Sequence, residues 1–356
     1  MLKVGIIGCG GIAEKKHMPA LAAIKDVSMT AFCDISRERA EDMSKKFGRH
    51  NAVTYVDYKE MLEKEKLDVV HICSANSTHS EFAVAAMESG CHVMCEKPMA
   101  RNYAEAKAMF DAHKRTGKKL TIGCQNRFRP DSLYLKKACD RGDLGEIYFA
   151  KAHAVRRRGV PTWGSFLNKE LQGGGPLIDI GIHSLDLTLW MMNNYNVKSV
   201  SGSVFSKLKD QKDTGNTFGD WAPEKFTVED SAFGFIKMEN GAAIILECSW
   251  AINLLDGIEA KTTLAGTKAG ADMRDGLRIN SCDFGKLNIL KPSLETGSVP
   301  FYEGETQDPS MLEMRSWIDC VINDTDPVVL PEQVLVVSRI LDAIYESSET
   351  GKTVEF

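Results

Sequence analysis

The chain has 356 residues, more than one domain usually holds, so two domains are expected, and its 43% hydrophobic residues suffice to fill both cores. Its 44 basic and 49 acidic residues leave a net charge of −5, which argues against a nucleic-acid partner held by phosphate neutralisation. No apolar run reaches the about 18 residues of a membrane span, and the first residues read as a strand rather than a charged leader, so a soluble, cytoplasmic protein with no membrane partner is expected.

The first strand is predicted over 3–7, where Val4, Ile6 and Ile7 give the β-branched run of a buried parallel strand. Gly8-Cys9-Gly10-Gly11-Ile12-Ala13 follows at once, in the pattern G-x-G-x-x-G/A. Gly8 can turn the chain tightly, and Gly10 lets the backbone approach a pyrophosphate. Ala13 is small enough for the next helix, about 13–25, to pack on the strand with its free N–H groups aimed at the phosphates; Gly11 and Ile12 complete the loop. A second apolar run ends at Asp34, 21 positions beyond Ala13, close to the spacing of about 20 at which a carboxylate meets ribose hydroxyls. That carboxylate would repel a 2′-phosphate, so NAD is favoured over NADP, with Arg37 softening the preference.

Strands and helices then alternate, as a doubly wound sheet requires. Strands are predicted at 29–34, 53–55, 69–73, 92–95 and 120–123, with helices at 37–47, 58–63, 80–88 and 103–115, and the last stops at Thr116-Gly117. This is the six-stranded pattern of a Rossmann domain, 1–124. The second domain, 125–356, opens with a helix at 131–141. Its strands, 147–155, 197–205, 231–238, 243–251 and 259–264, have few helices between them, which predicts an α+β domain with a mostly antiparallel sheet. Helices are predicted at 176–192, 310–323 and 333–350, and the last is expected to pack back on the first domain. Cys33, Cys73, Cys91, Cys124 and Cys248 sit inside apolar runs and the chain has no C-x-x-C pair, so free cysteines and no metal site are expected.

Two stretches carry candidate chemistry. Glu96-Lys97-Pro98 follows the strand at 92–95, where an open α/β sheet binds ligands, so Lys97 can stabilise alkoxide character as a hydride leaves. The plain alternative is a solvated lysine at a strand end. Pro98 can hold an unusual turn, including a cis peptide. In Gly173-Gly174-Gly175-Pro176-Leu177-Ile178-Asp179-Ile180-Gly181-Ile182-His183, Pro176 suits a helix start, and Asp179 and His183 at i, i+4 share a face. A histidine there can take a hydroxyl proton near neutral pH while the carboxylate orients it. Equally, Asp179 could simply complement the helix dipole and His183 be a satisfied core residue. Ser74, Asn76 and His79 fall on the cofactor rim. Asn126, Arg127, Arg156 and Trp163 fall where they could read sugar hydroxyls, or be ordinary loop residues.

Gly8-x-Gly10-x-x-Ala13, Glu96-Lys97-Pro98 and Asp179-x-x-x-His183, in that order, resemble the Gfo/Idh/MocA oxidoreductase family over the whole chain. The resemblance implies a large, open sheet in the second domain, whose free face commonly makes a homodimer or homotetramer. It also implies an NAD(P)-dependent dehydrogenase acting on a secondary hydroxyl of a sugar, glycoside or inositol. His183 would move the proton, Asp179 would partner it or the substrate, and Lys97 would polarise the reacting oxygen. The stretches 124–130 and 156–164 are similar to members acting on glycosides, including those that oxidise the glucose C3 hydroxyl. Ser74-Ala75-Asn76 departs from the pattern, since many members carry proline before the asparagine. Two other activities suit the scaffold: redox-neutral glycoside cleavage through a transient keto sugar, and non-catalytic dinucleotide sensing.

Overall fold

The computed structural model describes residues 1–49, 51–294 and 308–356. The chain forms two compact units, Met1–Gln125 with Gln307–Leu335, and Asn126–Thr306 with Val336–Phe356.

In the first unit six strands run parallel: β1 (Leu2–Ile7), β2 (Val27–Cys33), β3 (Val53–Tyr55), β4 (Val69–Ile72), β5 (His92–Cys95) and β6 (Leu120–Ile122). They lie in the order β3-β2-β1-β4-β5-β6. Helices cover both faces, so Val4, Ile6, Val69, Val70, Ile72 and Val93 are all fully buried, and the strands read as unbroken apolar runs. The order reverses between β1 and β4, whose carboxyl ends form the crevice where such sheets take ligands. The helix expected at 13–25 is shorter and of two kinds, a π-helical turn over Ala13–His17 running into an α-helix over Met18–Ala22. The helix Pro309–Ile322, capped by Asp308 accepting from Ser310 N–H, also belongs to this unit. It places Met314, Trp317 and Ile318 in the cluster around Val4, Ile6 and Leu21, burial that favours the folded state by about 1.5–3 kcal/mol per side chain.

The second unit is built on nine strands: β7 (Ile147–Val155), β8 (Val197–Phe205), β9 (Ser231–Met238), β10 (Ala243–Ser249), β11 (Ile258–Gly266), β12 (Gly270–Asp272), β13 (Arg278–Asp283), β14 (Lys286–Leu290) and β15 (Val354–Glu355). Their order is β14-β13-β12-β11-β7-β10-β9-β8-β15, antiparallel throughout except for β7 beside β10. The strands β12 to β15 were not expected: β12 and β15 are very short, and β14 is exposed along its whole length, so none shows a buried-face alternation.

The helix Pro331–Thr350, expected to return to the first domain, is divided between the units, with its start through Leu335 in the first. From Val336 onward it belongs to the second unit, where Ile344 fills a gap left by two facing glycines. Gly202 on β8 and Gly234 on β9 are register partners, and a Cβ on either would lie 2.7 Å from the Ile344 side chain. It is the helix before it that packs on the parallel sheet.

Candidate functional site

The first unit presents a dinucleotide cradle. Gly8 has φ +88°, and a Cβ there would lie 2.6 Å from the Cys73 backbone, so only glycine lets β1 turn this close to the end of β4. A Cβ on Gly10 or Gly11 would meet open space, and Ala13 is fully buried against the sheet. Asp34, just beyond β2, is buried; its carboxylate accepts from the Cys9 and Ser36 N–H groups at 2.8 and 2.9 Å, which ties the glycine loop to the ribose position. A cavity of 280 Å³ opens here, with Gly10, Asp34 and Ser74 at its polar side and Ile35, Val56 and Phe82 giving an apolar wall that suits a purine. Open backbone at the loop, a carboxylate at the second strand and an apolar slot beside it fit a dinucleotide. Arg39, rather than Arg37, lines the cavity and lies 3.5 Å from Asp34; Arg37 is exposed.

One rim expectation changes character. Ser74 and Asn76 stand half-buried at the rim, where Asn76 starts the helix Asn76–Glu88 and Ser74 shares a 2.7 Å hydrogen bond with Thr78. His79, expected beside them, is buried beneath them. Its ring nitrogens face the carbonyls of Pro98 and Ser74 at 2.8 and 3.2 Å, so it ties two loops together instead of meeting a ligand.

Lys97 is half-buried at the carboxyl end of β5, and the Lys97–Pro98 bond is cis. Glu96, expected to touch cofactor, points inward: its Oε1 accepts from Lys16 Nζ at 2.6 Å and His17 Nε2 at 2.8 Å, while Oε2 accepts from the Lys97 N–H. Burial pushes its carboxyl up, but Lys16 and His17 outweigh that and hold it well below the usual range. Lys16 also pairs with Glu313 at 2.9 Å, although the Glu313 carboxylate accepts no well-aligned hydrogen bond from the described residues. Burial and the nearby Glu96 charge raise Glu313 to about 7 against the pull of Lys16. Burial lowers the pKa of His17, and of His71 further, so both rings are neutral. His17 Nε2–H then donates to Glu96, His71 Nδ1–H donates to His17 Nδ1 at 2.9 Å, and His71 Nε2 is left without a partner among the described residues. None of Lys16, His17, His71 or Glu313 was singled out from the sequence. A basic pair, Lys15-Lys16, in the opening turn of the glycine-loop helix was the one available signal.

In the second unit the triglycine is a packing requirement. A Cβ on Gly174 would strike the Tyr345 hydroxyl and one on Gly175 the Glu229 carbonyl. A π-helical turn, Leu177–Gly181, then runs into the α-helix Ile182–Met192. From Leu177 to Met191 every residue is buried except Asp179 and His183, which are half-exposed. The Trp250 indole N–H donates to Asp179 Oδ2 at 3.1 Å, a support the sequence reading missed. Arg127 is a correction. It is fully buried, donating to both Asp186 oxygens at 2.9 and 2.6 Å with its guanidinium over the Trp190 ring, so it anchors this helix rather than reading substrate. Arg156 clamps Glu259 and the Gly159 carbonyl, close enough to Asp179 to feel its charge. Asn126 is half-buried and Trp163 is 53% exposed.

Among the described residues no three His, Cys, Asp or Glu side chains gather as metal ligands would, and no helix is long and apolar enough to cross a membrane.

Residues 2–124 match the model of an oxidoreductase family with an NAD-binding Rossmann fold, and residues 136–356 match that family's C-terminal alpha/beta domain. The chain is similar to a D-glucoside 3-dehydrogenase of Escherichia coli K12, 38% identical over 99% of this chain and 97% of the relative. It is also similar to a glucose-6-phosphate 3-dehydrogenase of Bacillus subtilis 168, 27% identical over 91% and 90%. Among solved structures, a levoglucosan dehydrogenase in complex with NADH and levoglucosan shares the fold at a TM-score of 0.83, with 22% identity over 99% of both chains.

Proposed function

The chain belongs to the Gfo/Idh/MocA oxidoreductase family, and from that premise we propose that it oxidises a secondary hydroxyl of a glucoside or related sugar, with C3 of the glucosyl ring as the reacting carbon. The observation that carries this reading is that, from Leu177 to Met191, Asp179 and His183 alone escape burial. His183 takes the hydroxyl proton as general base. Asp179, oriented by Trp250, holds His183 or a neighbouring hydroxyl in place. Lys97 stabilises the alkoxide that forms on the reacting oxygen. NAD held by the glycine loop and Asp34 would supply the hydride acceptor. Asp34 offers its carboxylate to the adenosine ribose and would repel a 2′-phosphate, which favours NAD over NADP.

The sheet face that carries Phe205, Phe233 and Phe235 suits a second copy of the chain, so a homodimer or homotetramer belongs to this reading. Ten cysteines without a disulfide suit a reducing cytoplasm.

The test supplies purified protein with NAD and a panel of free sugars, inositols and methyl glucosides, read by NADH absorbance and product mass. A product two hydrogens lighter with matching NADH is expected, and His183→Ala should lower kcat by about a hundred- to ten-thousandfold while NAD still binds. Glycoside cleavage without NADH would replace this reading with the redox-neutral one, and full activity in His183→Ala would overturn it.

A further inference from the structure

A row of aromatic rings leads outward from Asp179. Trp250, which donates to Asp179, is completely buried; the Phe166 ring lies 6.3 Å from it, the Trp163 ring 5.9 Å beyond, and the Phe218 ring 4.9 Å from Trp163 at right angles. Exposure rises along the row until Trp163 and Phe218 are 53% and 42% accessible. Two large rings in water at the end of a buried row are not needed for the core.

These rings are also held in place. The loop bearing Trp163 and the loop bearing Phe218 are joined by four side-chain hydrogen bonds. Val160 N–H donates to Asn216 Oδ1 at 2.9 Å, Asn216 Nδ2 donates to the Val160 carbonyl at 3.0 Å, and the Thr217 and Thr162 hydroxyls donate to the Arg158 and Phe218 carbonyls at 2.7 Å. A platform ordered before binding loses little entropy when a ligand lands on it. Two of the cations beside it are engaged within the fold: Arg156 by Glu259 and Gly159, and Arg158 by the carbonyls of Thr214, Arg157 and Ile252 and by Asn253 Oδ1, while Arg157 is exposed.

We propose that Trp163 and Phe218 form an outer subsite for the aglycone of a glycoside, selecting apolar, aromatic aglycones. The proposal rests on the reading that this enzyme oxidises a glucoside at Asp179 and His183. In a glucosyl ring reacting at C3, the anomeric carbon lies two ring bonds from the reacting carbon, so its substituent projects away from the reacting oxygen, and the aromatic row that leads outward from Asp179 gives that substituent a surface to land on. A planar aglycone gains ring stacking and apolar burial that a methyl group cannot reach.

The experiment compares kcat/KM for phenyl and methyl glucosides of both anomeric configurations, and for glucose 6-phosphate, in the wild type, Trp163→Ala, Phe218→Ala and Trp163→Phe. The wild type should favour phenyl over methyl by roughly tenfold or more, chiefly in KM. Trp163→Ala and Phe218→Ala should each erase most of that ratio, and Trp163→Phe, which keeps a ring, should retain it. A wild type indifferent to the aglycone, a ratio unmoved in both alanine variants, or a preference for glucose 6-phosphate overturns the subsite. If no glucoside is oxidised at all, the underlying function fails as well, and the two failures are distinct.

Discussion

The two units support the side chains they present in different ways. Beneath Lys97 the first unit encloses an ion cluster: Lys16 between the carboxyl groups of Glu96 and Glu313, with two neutral histidines completing the chain. At the start of the helix that presents Asp179 the second unit instead buries Glu229, which has no cationic partner among the described residues. Its Oε1 accepts from the Tyr345 hydroxyl at 2.9 Å and the Leu177 N–H at 3.1 Å, and burial pushes its carboxyl up despite those bonds. One carboxylate is kept ionised by a shared ammonium, the other is placed by neutral donors. An ion cluster fixes geometry strongly but fails badly when one member is lost, whereas a hydrogen-bonded acid can shed its charge by taking up a proton. The charged device sits where it locks the glycine-loop helix to the strand presenting Lys97. The neutral one sits under the helix start that presents Asp179.

The largest test of this contrast is Lys16→Met. It leaves Glu96 and Glu313 buried without their cation and should cost about 3–5 kcal/mol in urea unfolding at neutral pH; a loss under about 1 kcal/mol would mean the cluster is not an ion cluster at all. Glu313→Gln probes its tuning. The Glu313 carboxyl titrates in the folded protein at about 7 against an ordinary value of 4.5, so across that window the folded state holds a proton the unfolded chain releases. Stability contributed at this site therefore falls as pH rises from about 4.5 to 7. Relative to wild type, Glu313→Gln should gain on the order of 1–3 kcal/mol between pH 5 and 7.5, measured as the difference between their two stability–pH curves. A pH-independent difference would place the titration elsewhere. The smallest change is expected in the second unit. Tyr345→Phe removes one donor of several from Glu229 and should cost only about 1 kcal/mol, and a loss as large as that of Lys16→Met would erase the distinction.

The same contrast explains what could be read from the sequence. Gly8, Asp34, Lys97, Asp179 and His183 were legible because each sits at a strand end or helix start that local pattern alone defines. The parallel strands were legible because burial on both faces makes them continuous apolar runs. Lys16 was not, because its partners lie far along the chain at Glu96 and Glu313 and only the folded unit brings them together. Arg127 misled for the same reason. An arginine after a strand looks available for substrate until Asp186, 59 residues away, occupies it. The exposed strand β14 and the three-residue β12 carried no periodic signal to read.

The glycine-loop helix and the helix that presents Asp179 and His183 both begin with a wide helical turn, Ala13–His17 and Leu177–Gly181. Such a turn holds one residue more than a turn of the α-helix it joins while covering nearly the same rotation, so the residues on its two sides keep the phase of an uninterrupted helix. Deleting one residue inside either turn would close it to an ordinary helical turn without rotating the helix beyond it; what shifts is the set of side chains the turn itself carries, Lys16 and His17 in one and Asp179 in the other. In both helices a one-codon deletion is therefore expected to disturb the side chains of the turn while sparing the packing of the helix that follows.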